Sequence, residues 1–443
     1  MRKLRFICDM IIMLLICNSP ALWALCGIGS GIKTAAVILL TLFYLTYLIT
    51  SGGRQDQNKK LDRIAKGSYM LSLSVVMLIF ETAAIIIFII TGRLTLWRQL
   101  ANGLTGYGLI ALSALAGILR TAISARQVKL IWYVLLMIFW YVPILNIIIL
   151  TNISKAAKKE FRFEQAKQEL DFGRKESEVC KTKYPILMVH GIFFRDWQIF
   201  NYWGRIPAEL AKNGAEIYYG KQQSAELIEV SAGEIRDRIL QVIEETGAEK
   251  VNIIAHSKGG IDSRYAISCL GMDRYVASLI TINSPHYGCK FVDKILSKVS
   301  DDLLGFVEKR YNKLYTVLGD TKPDFVKGLQ ELTFERCSRL DEEAPDKEGV
   351  YYLSVMSKMK NVLSAGFPQN ISYLMNKPYG TGNDGLVTVE SALRGDNTLM
   401  IEHEGTRGLS HGDLIDLMRE NIDGFDVREF YVNLVKDLKE KGL

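Results

Sequence analysis

The ten residues Val251-Asn-Ile-Ile-Ala-His-Ser257-Lys-Gly-Gly260 constrain this chain more than any other stretch. A run of strand-forming residues leads straight into a serine, and an amphipathic helical pattern follows from Ile261 to Leu270. A sharp strand-to-helix turn of this kind is a nucleophile elbow, which lifts the serine hydroxyl off the end of a sheet. It tolerates only small residues two before and two after the serine, here Ala255 and Gly259. The short string alone occurs by chance in many chains, and its flanking strand and helix supply the context that the motif demands.

With 443 residues the chain exceeds one typical domain of about 100 to 200 residues, so two parts are expected. Five apolar stretches, residues 6 to 28, 33 to 50, 68 to 91, 104 to 123 and 130 to 150, each approach the ~20 residues that a helix needs to cross hydrocarbon. Ala83 to Ile90 and Ile144 to Leu150 have no polar face, which excludes ordinary buried helices of a soluble protein. Residues 1–150 are therefore expected to form a helical transmembrane bundle of about five spans, with Gly103, Gly106, Gly108 and Gly117 in the fourth suiting close helix packing. The opening Met-Arg-Lys-Leu-Arg and the later Ala21-Leu-Trp-Ala24 also fit a cleavable signal peptide. Glu81 falls near the middle of the third stretch, where a carboxylate needs a partner, and Asn146 or a serine is expected to supply one.

Basic residues cluster at the start (Arg2, Lys3, Arg5), after the second stretch (Lys59, Lys60, Arg63, Lys66) and before the fifth (Arg120, Arg126, Lys129), marking the cytoplasmic side. Five spans then place residue 151 onward outside the cytoplasm. Lys155, Lys158, Lys159, Arg162 and Lys167 argue the other way, because one span fewer returns the rest of the chain to the cytoplasm.

Residues 151–183 form a charged helical linker with Phe163, Ala166 and Leu170 on one face. Beyond Tyr184, short apolar segments (184 to 189, 215 to 219, 251 to 255, 276 to 282, 350 to 355, 398 to 401) alternate with helical patterns. That alternation implies a parallel sheet covered on both faces over residues 184–443. The net charge of +6 carries no stripe of basic and aromatic residues, which excludes nucleic acid as a partner. Seven cysteines without a C-x-x-C pair exclude a zinc site or a disulfide framework.

A serine hydroxyl becomes a nucleophile when a base takes its proton, and the base needs an acid to hold its tautomer. Around such an elbow the chain order is serine, acid, histidine. Of five histidines, His190, His256 and His286 precede every plausible acid loop, which leaves His403 and His411. His411, in the loop Leu-Ser-His-Gly-Asp ahead of a helix, is preferred to His403, which directly follows a strand. The acid candidate is Asp384 in Gly380-Thr-Gly-Asn-Asp-Gly-Leu-Val387, with Asp396 in reserve. Two backbone N–H groups are needed for the oxyanion, one from Lys258 and one from Ile192 in the loop after Val189-His190-Gly191. His190 itself is read as the residue that holds that loop.

Residues 184 to about 437 resemble the bacterial triacylglycerol lipases of the α/β-hydrolase fold. Five motifs in order carry the resemblance: Pro-Ile-Leu-Met-Val-His-Gly, Ala-His-Ser-Lys-Gly-Gly-Ile-Asp-Ser-Arg-Tyr, Thr-Ile-Asn-Ser-Pro-His-Tyr-Gly, Asn383-Asp-Gly-Leu-Val387 and His411-x-Asp413. The resemblance implies Ser257 as nucleophile, Asp384 as acid and His411 as base, with no cofactor, and it makes the helical insertion at residues 289–345 a lid over the acyl pocket. Such lipases often hold calcium partly through the Asp two after the base, here Asp413. Residues 349 to 383 contain no acidic residue to complete that site, so no metal is expected. Lys258 departs from the neutral residue or histidine common beside the nucleophile, and leaves the substrate's polar group open. The reading is a membrane-anchored serine esterase or lipase acting on acyl lipids, with substrate and bilayer as its partners. Its rivals are an acyltransferase or thioesterase on the same triad, and a membrane-tethered sensor without turnover.

Overall fold

The computed structural model describes residues 2–26, 35–36, 39–40, 42–44, 46–47, 58–174, 176–192, 201–223, 225–317 and 323–443. The chain divides into two compact units, Met1–Phe172 and Gly173–Leu443.

In the first unit, α1 (Arg2–Cys17) and α2 (Ser19–Leu25) meet at 61° around Asn18, with Pro20 in the first turn of α2. α3 (Lys59–Thr91) and α4 (Leu96–Ser124) are long and apolar enough to cross a membrane. They run antiparallel and pack closely where Gly67 faces Gly117: a Cβ on either glycine would come within 3.1 Å of the other's carbonyl oxygen. Glu81 of α3 is wholly buried and accepts a hydrogen bond from Asn18 Nδ2 at 2.7 Å. Asn102 Nδ2 donates to Asn18 Oδ1 at 2.9 Å, and Asn102 Oδ1 accepts from the backbone N–H of Ala21 at 3.1 Å. Glu81 thus finds Asn18 at the bend, whereas Asn146 donates to the Trp140 carbonyl.

Five spans are not seen among the described residues. Among the described residues two helices qualify, or three if the bent α1–α2 pair is one span. Half of the second expected stretch, 33 to 50, lies outside the described residues. The fifth breaks. α5 (Leu130–Phe139) has ten residues, about 15 Å of helix, and α6 (Pro143–Arg174) restarts at a proline, whose ring and missing N–H cannot continue the helix before it. Val128, before α5, and Ile149, Leu150 and Ile153 of α6 share one apolar cluster with Leu61 and Ile64 of α3, so the excursion returns to the end from which it left. Ser154 Oγ donates to the Ser68 carbonyl at 2.8 Å, and Glu160 accepts from the N–H groups of Arg126 and Gln127 at 3.0 and 2.8 Å, fixing α6 at that same end. α6 continues as helix to Arg174, through most of the residues 151–183 expected to form a charged helical linker.

The second unit is built on a six-stranded parallel sheet in the order β2-β1-β3-β4-β5-β6. The strands are β1 (Ile186–Val189), β2 (Ile217–Tyr219), β3 (Val251–His256), β4 (Val276–Ile282), β5 (Tyr351–Ser357) and β6 (Thr398–Ile401). β1, β3 and β4 are buried along their whole length, as continuous apolar runs in a sheet covered on both faces must be. One face packs on α7 (Ile206–Lys212) and a C-terminal helix, Val427–Glu440; the other packs on α8 (Ile228–Thr246) and α9 (Lys258–Cys269). The doubly covered parallel sheet is the α/β-hydrolase-like architecture expected from the strand pattern.

Between β4 and β5 stand α10 (Lys290–Lys298), α11 (Asp301–Val317), α12 (Phe325–Gln330) and α13 (Phe334–Glu343). Their apolar residues have two fates. Phe291 and Val292 of α10 and Cys337 and Leu340 of α13 are buried, whereas Leu303, Phe306, Val307 and Leu314 of α11 are exposed. Beyond β5 come α14 (Gln369–Asn376) and α15 (Val389–Ala392).

Candidate active site

Ser257 closes β3 and begins the turn into α9 with φ +54° and ψ −129°, a strained backbone for a residue with a side chain. Crowding explains the small neighbours. A Cβ on Gly259 would lie 2.3 Å from the His190 carbonyl oxygen, and one on Gly191 would lie 2.8 Å from the Ser257 Cβ. The turn also places Ser257 at the C-terminal edge of the sheet, where loops from several strands converge.

Two such loops bring in the other candidates. The loop 380 to 387 carries Asp384, which is wholly buried; its Oδ1 accepts from the N–H groups of Leu386 and Val387 at 2.9 and 2.8 Å. Its Oδ2 lies 2.6 Å from His411 Nδ1, and the His411 N–H donates to the Asp384 carbonyl at 2.8 Å. The His411 ring packs against that of His256, the residue before Ser257, with centroids 4.4 Å apart. Asp384 and His411 are thus paired, and the His411 ring lies against the residue next to Ser257. Their reserves are not so placed. His403 Nε2 is 2.6 Å from the Asp423 carbonyl, and Asp396 precedes β6 at the N-terminal edge of the sheet, opposite the elbow.

Gly191, against Ser257, precedes Ile192; residues 193–200 lie outside the described residues. His190 is buried and spans two carbonyls, Gly191 O at 2.8 Å and Gln222 O at 3.0 Å, while Gln222 Nε2 donates back to the His190 carbonyl. Lys258 begins α9, where backbone N–H groups have no helical partner. Its ammonium turns away from the elbow into the fold, 2.7 Å from Asp262 and 3.3 Å from the Ser231 hydroxyl. Burial raises the Asp262 carboxyl to about 7, against the opposing pull of Lys258. A lysine in that position is not available to read a substrate's polar group.

Two residues that the sequence did not single out complete the floor of the site. Tyr202 Oη accepts from the Gly191 N–H at 3.1 Å and lies 2.6 Å from His256 Nδ1. Burial, and then the proximity of His411, hold His256 well below the ordinary histidine pKa, so the ring is neutral and its Nδ1 shares a hydrogen bond with the tyrosine hydroxyl. Tyr202 and His256 are 54 positions apart and no local pattern links them.

Asp413 does not offer a calcium ligand. Both its oxygens accept from Arg407 Nη2, at 2.7 and 2.8 Å, and Oδ2 also accepts from the N–H and hydroxyl of Ser410. Among the described residues no group of three His, Cys, Asp or Glu side chains converges on a metal position.

A family model described as palmitoyl protein thioesterase matches residues 185–322. A triacylglycerol lipase of Pseudarthrobacter phenanthrenivorans is 29% identical over 176 residues, covering 37% of this chain and 54% of that lipase. One of Burkholderia plantarii is 29% identical over 176 residues, covering 37% and 49%. The chain thus spans about half the length of these curated relatives. The crystal structure of Staphylococcus hyicus lipase aligns at 17% identity and a TM-score of 0.47, over 59% of this chain and 97% of that one. Part of the second unit is thus similar in sequence to triacylglycerol lipases.

Proposed function

We propose that the second unit is a serine hydrolase of carboxylic esters, a lipase or esterase acting on acyl lipids through Ser257, His411 and Asp384. The observation that carries the reading is the 2.6 Å contact between His411 Nδ1 and a buried Asp384 whose other oxygen is fixed by two backbone donors. Asp384 holds the imidazole with its proton on Nδ1, which leaves Nε2 free to take the Ser257 proton. The alkoxide attacks the ester carbonyl, and the N–H groups of Lys258 and Ile192 receive the charge that develops on oxygen. His411 then protonates the leaving alcohol. In the second half it deprotonates water, which releases the acyl group from Ser257.

Labelling with a fluorophosphonate probe tests the assignment: wild type is labelled and Ser257→Ala is not. Labelling of the mutant at wild-type level sinks it. The match to a thioesterase model over residues 185–322 favours one second reading, hydrolysis of acyl thioesters on the same triad. A panel of oxyesters and thioesters of equal chain length separates the two by kcat/KM.

The membrane helices supply location. The end of the first unit that holds the start of α3, the end of α4 and Ser154 to Glu160 of α6 also carries Lys59, Lys60, Arg63, Lys66, Arg120, Arg126 and Lys129. By the positive-inside rule that end faces the cytoplasm, and the chain leaves it there. With the fifth span gone, the argument that placed residue 151 onward outside loses its basis, and we assign the catalytic unit to the cytoplasmic side. A green fluorescent protein joined at the C-terminus is expected to be bright. Active alkaline phosphatase in the same place, with a dark fluorescent fusion, reverses the assignment. Tethering raises the effective concentration of bilayer lipids, so medium or long acyl chains presented in membranes are the expected substrates.

A further inference from the structure

The segment from Asn361 to Asn376 has its polarity inside out. Leu363, Phe367, Ile371 and Leu374 are 86, 81, 51 and 52% exposed, at spacings of four, four and three, while Ser364, Ser372 and Asn376 are buried. An ordinary surface helix buries its apolar stripe and exposes its polar one. Here the polar side is spent on the catalytic loops. Asn376 Nδ2 donates to the Leu386 carbonyl at 3.2 Å, and Asn383 Nδ2 donates to the Tyr373 carbonyl at 3.3 Å, which joins α14 to the loop of Asp384. Asn361 Nδ2 donates to the Thr406 carbonyl at 2.8 Å, and Ser364 Oγ donates to the Arg407 carbonyl, which joins the preceding turn to the run that leads to His411. Gln369 lies against both loops, its carbonyl oxygen 3.1 Å from where a Cβ on Gly385 would stand and its Nε2 3.5 Å from one on Gly412.

We propose that residues 361–376 are a membrane-docking element that seats the mouth of the catalytic site on an anionic bilayer surface. The proposal rests on the functional reading above only in taking the adjoining loops as catalytic. Four large apolar side chains held outward by buried hydrogen bonds stay exposed among the described residues, and they fit the boundary between headgroups and acyl chains. Charge decides for a bilayer over a second protein. The stretch 349 to 383 contains Lys358, Lys360 and Lys377 and no acidic residue, and although Lys358 is paired with Glu402, the other two flank the apolar stripe with positive charge. Fixing such an element to the loops of both the acid and the base lets lipid contact and catalytic geometry be set together.

The test uses the full chain in vesicles of phosphatidylcholine and phosphatidylglycerol that contain an alkyne-tagged phospholipid. p-Benzoylphenylalanine is placed at Phe367 and, as the control, at Asp237, an exposed position on α8. Irradiation is expected to attach tagged lipid at 367 roughly tenfold more than at 237, as an inserted side chain requires. Equal labelling at the two positions, or a cross-link from 367 to a second copy or another protein, overturns the proposal whether or not the chain hydrolyses esters. The variant with Leu363→Ser, Phe367→Ser, Ile371→Ser and Leu374→Ser gives a second measurement. The ratio of vesicle-borne long-chain ester hydrolysis to soluble butyrate ester hydrolysis is expected to fall by roughly one to two orders of magnitude, from the apolar transfer lost. An unchanged ratio overturns it.

Discussion

Glu81 and Asp384 are both wholly buried carboxylates, one in the interior of a membrane helix and one in a loop at the edge of a parallel sheet. Glu81 accepts from Asn18, which Asn102 ties in turn to the first turn of α2, so its hydrogen bond comes from an amide that cannot change its charge. Asp384 is met on one oxygen by two backbone N–H groups and on the other by His411, an imidazole that can take up and release a proton. Fixed donors make a carboxylate a strut for a bent helix. The same donors plus one titratable partner make it the orienting member of a proton-transfer pair. Asp413 gives the intermediate case: it is as close to His411 in sequence as an acid could usefully be, yet Arg407 and Ser410 consume its oxygens.

The comparison breaks first at the nucleophile and the base. Ser257→Ala or His411→Ala is expected to lower kcat for ester hydrolysis by roughly four to six orders of magnitude, leaving the rate from oxyanion donors and binding alone. His403→Ala should leave kcat nearly unchanged, since its ring is bound to the Asp423 carbonyl. A dead His403→Ala enzyme beside an active His411→Ala one would move the base.

Next in size is the direct contrast of the two carboxylates. Asp384→Asn keeps the shape but presents the wrong hydrogen-bonding to His411 Nδ1, and a loss of about 10³ to 10⁴ in kcat is expected with little change in thermal stability. Glu81→Gln should leave kcat within about twofold. Glu81→Leu strands the Asn18 amide in the helix interior and is expected to cost about 1–3 kcal/mol of stability in detergent. Equal losses of kcat in Asp384→Asn and Glu81→Gln would dissolve the distinction drawn here.

How much of this was legible beforehand depended on the range of the interaction. The strand-to-helix turn at Ser257 and the loops that pair Asp384 with His411 stand out in the sequence because each is a local pattern: a β-branched run ending in Ser257 between small residues, a glycine-rich turn around Asp384, a loop before a helical turn. The span count could not be read, because hydropathy averages over a window and does not see that Trp140 to Pro143 breaks the fifth stretch or that Pro20 bends the first. Nor could the direction of Lys258, which an i,i+4 aspartate and a serine 27 residues earlier turn inward. Nor could the outward apolar face of 361–376, since periodicity alone does not say which face looks outward.

A smaller effect comes from the buried Lys258–Asp262 pair. Asp262→Leu alone leaves a buried ammonium without its partner and is expected to cost about 3–5 kcal/mol, whereas Lys258→Met with Asp262→Leu should restore most of that. The pair also gives a sign to the pH dependence. Burial lifts the folded carboxyl from 3.8 to about 7, so between those values the native state holds a proton that the unfolded chain has given up. This contribution is present in full below 3.8 and is lost as pH rises through about 7, and the double variant should flatten that decline in urea titrations. Stability that rises over the same window for the wild type, and not for the double variant, contradicts the assignment.

The smallest expected effect falls on Tyr202, and it tests whether the floor of the site acts on the chemistry or only on the fold. Its hydroxyl accepts from the Gly191 N–H and shares a hydrogen bond with His256 Nδ1, so it holds the backbone one residue before the proposed oxyanion donor Ile192 and the residue one before Ser257. Tyr202→Phe removes no ring contact and keeps the edge packing on Trp203 and His256. It leaves one buried N–H and one ring nitrogen without a partner, a cost of about 1–3 kcal/mol. If the hydroxyl only supports the fold, that cost appears in thermal stability and kcat is unchanged. If it positions the oxyanion loop, part of the cost appears at the transition state, and kcat falls by roughly tenfold with KM nearly constant, because the donor is needed most when charge has formed. Phosphonate labelling provides the discriminating readout, since its adduct carries the same oxygen as the tetrahedral intermediate. A Tyr202→Phe enzyme that labels at the wild-type rate while melting earlier would reduce Tyr202 to a structural residue.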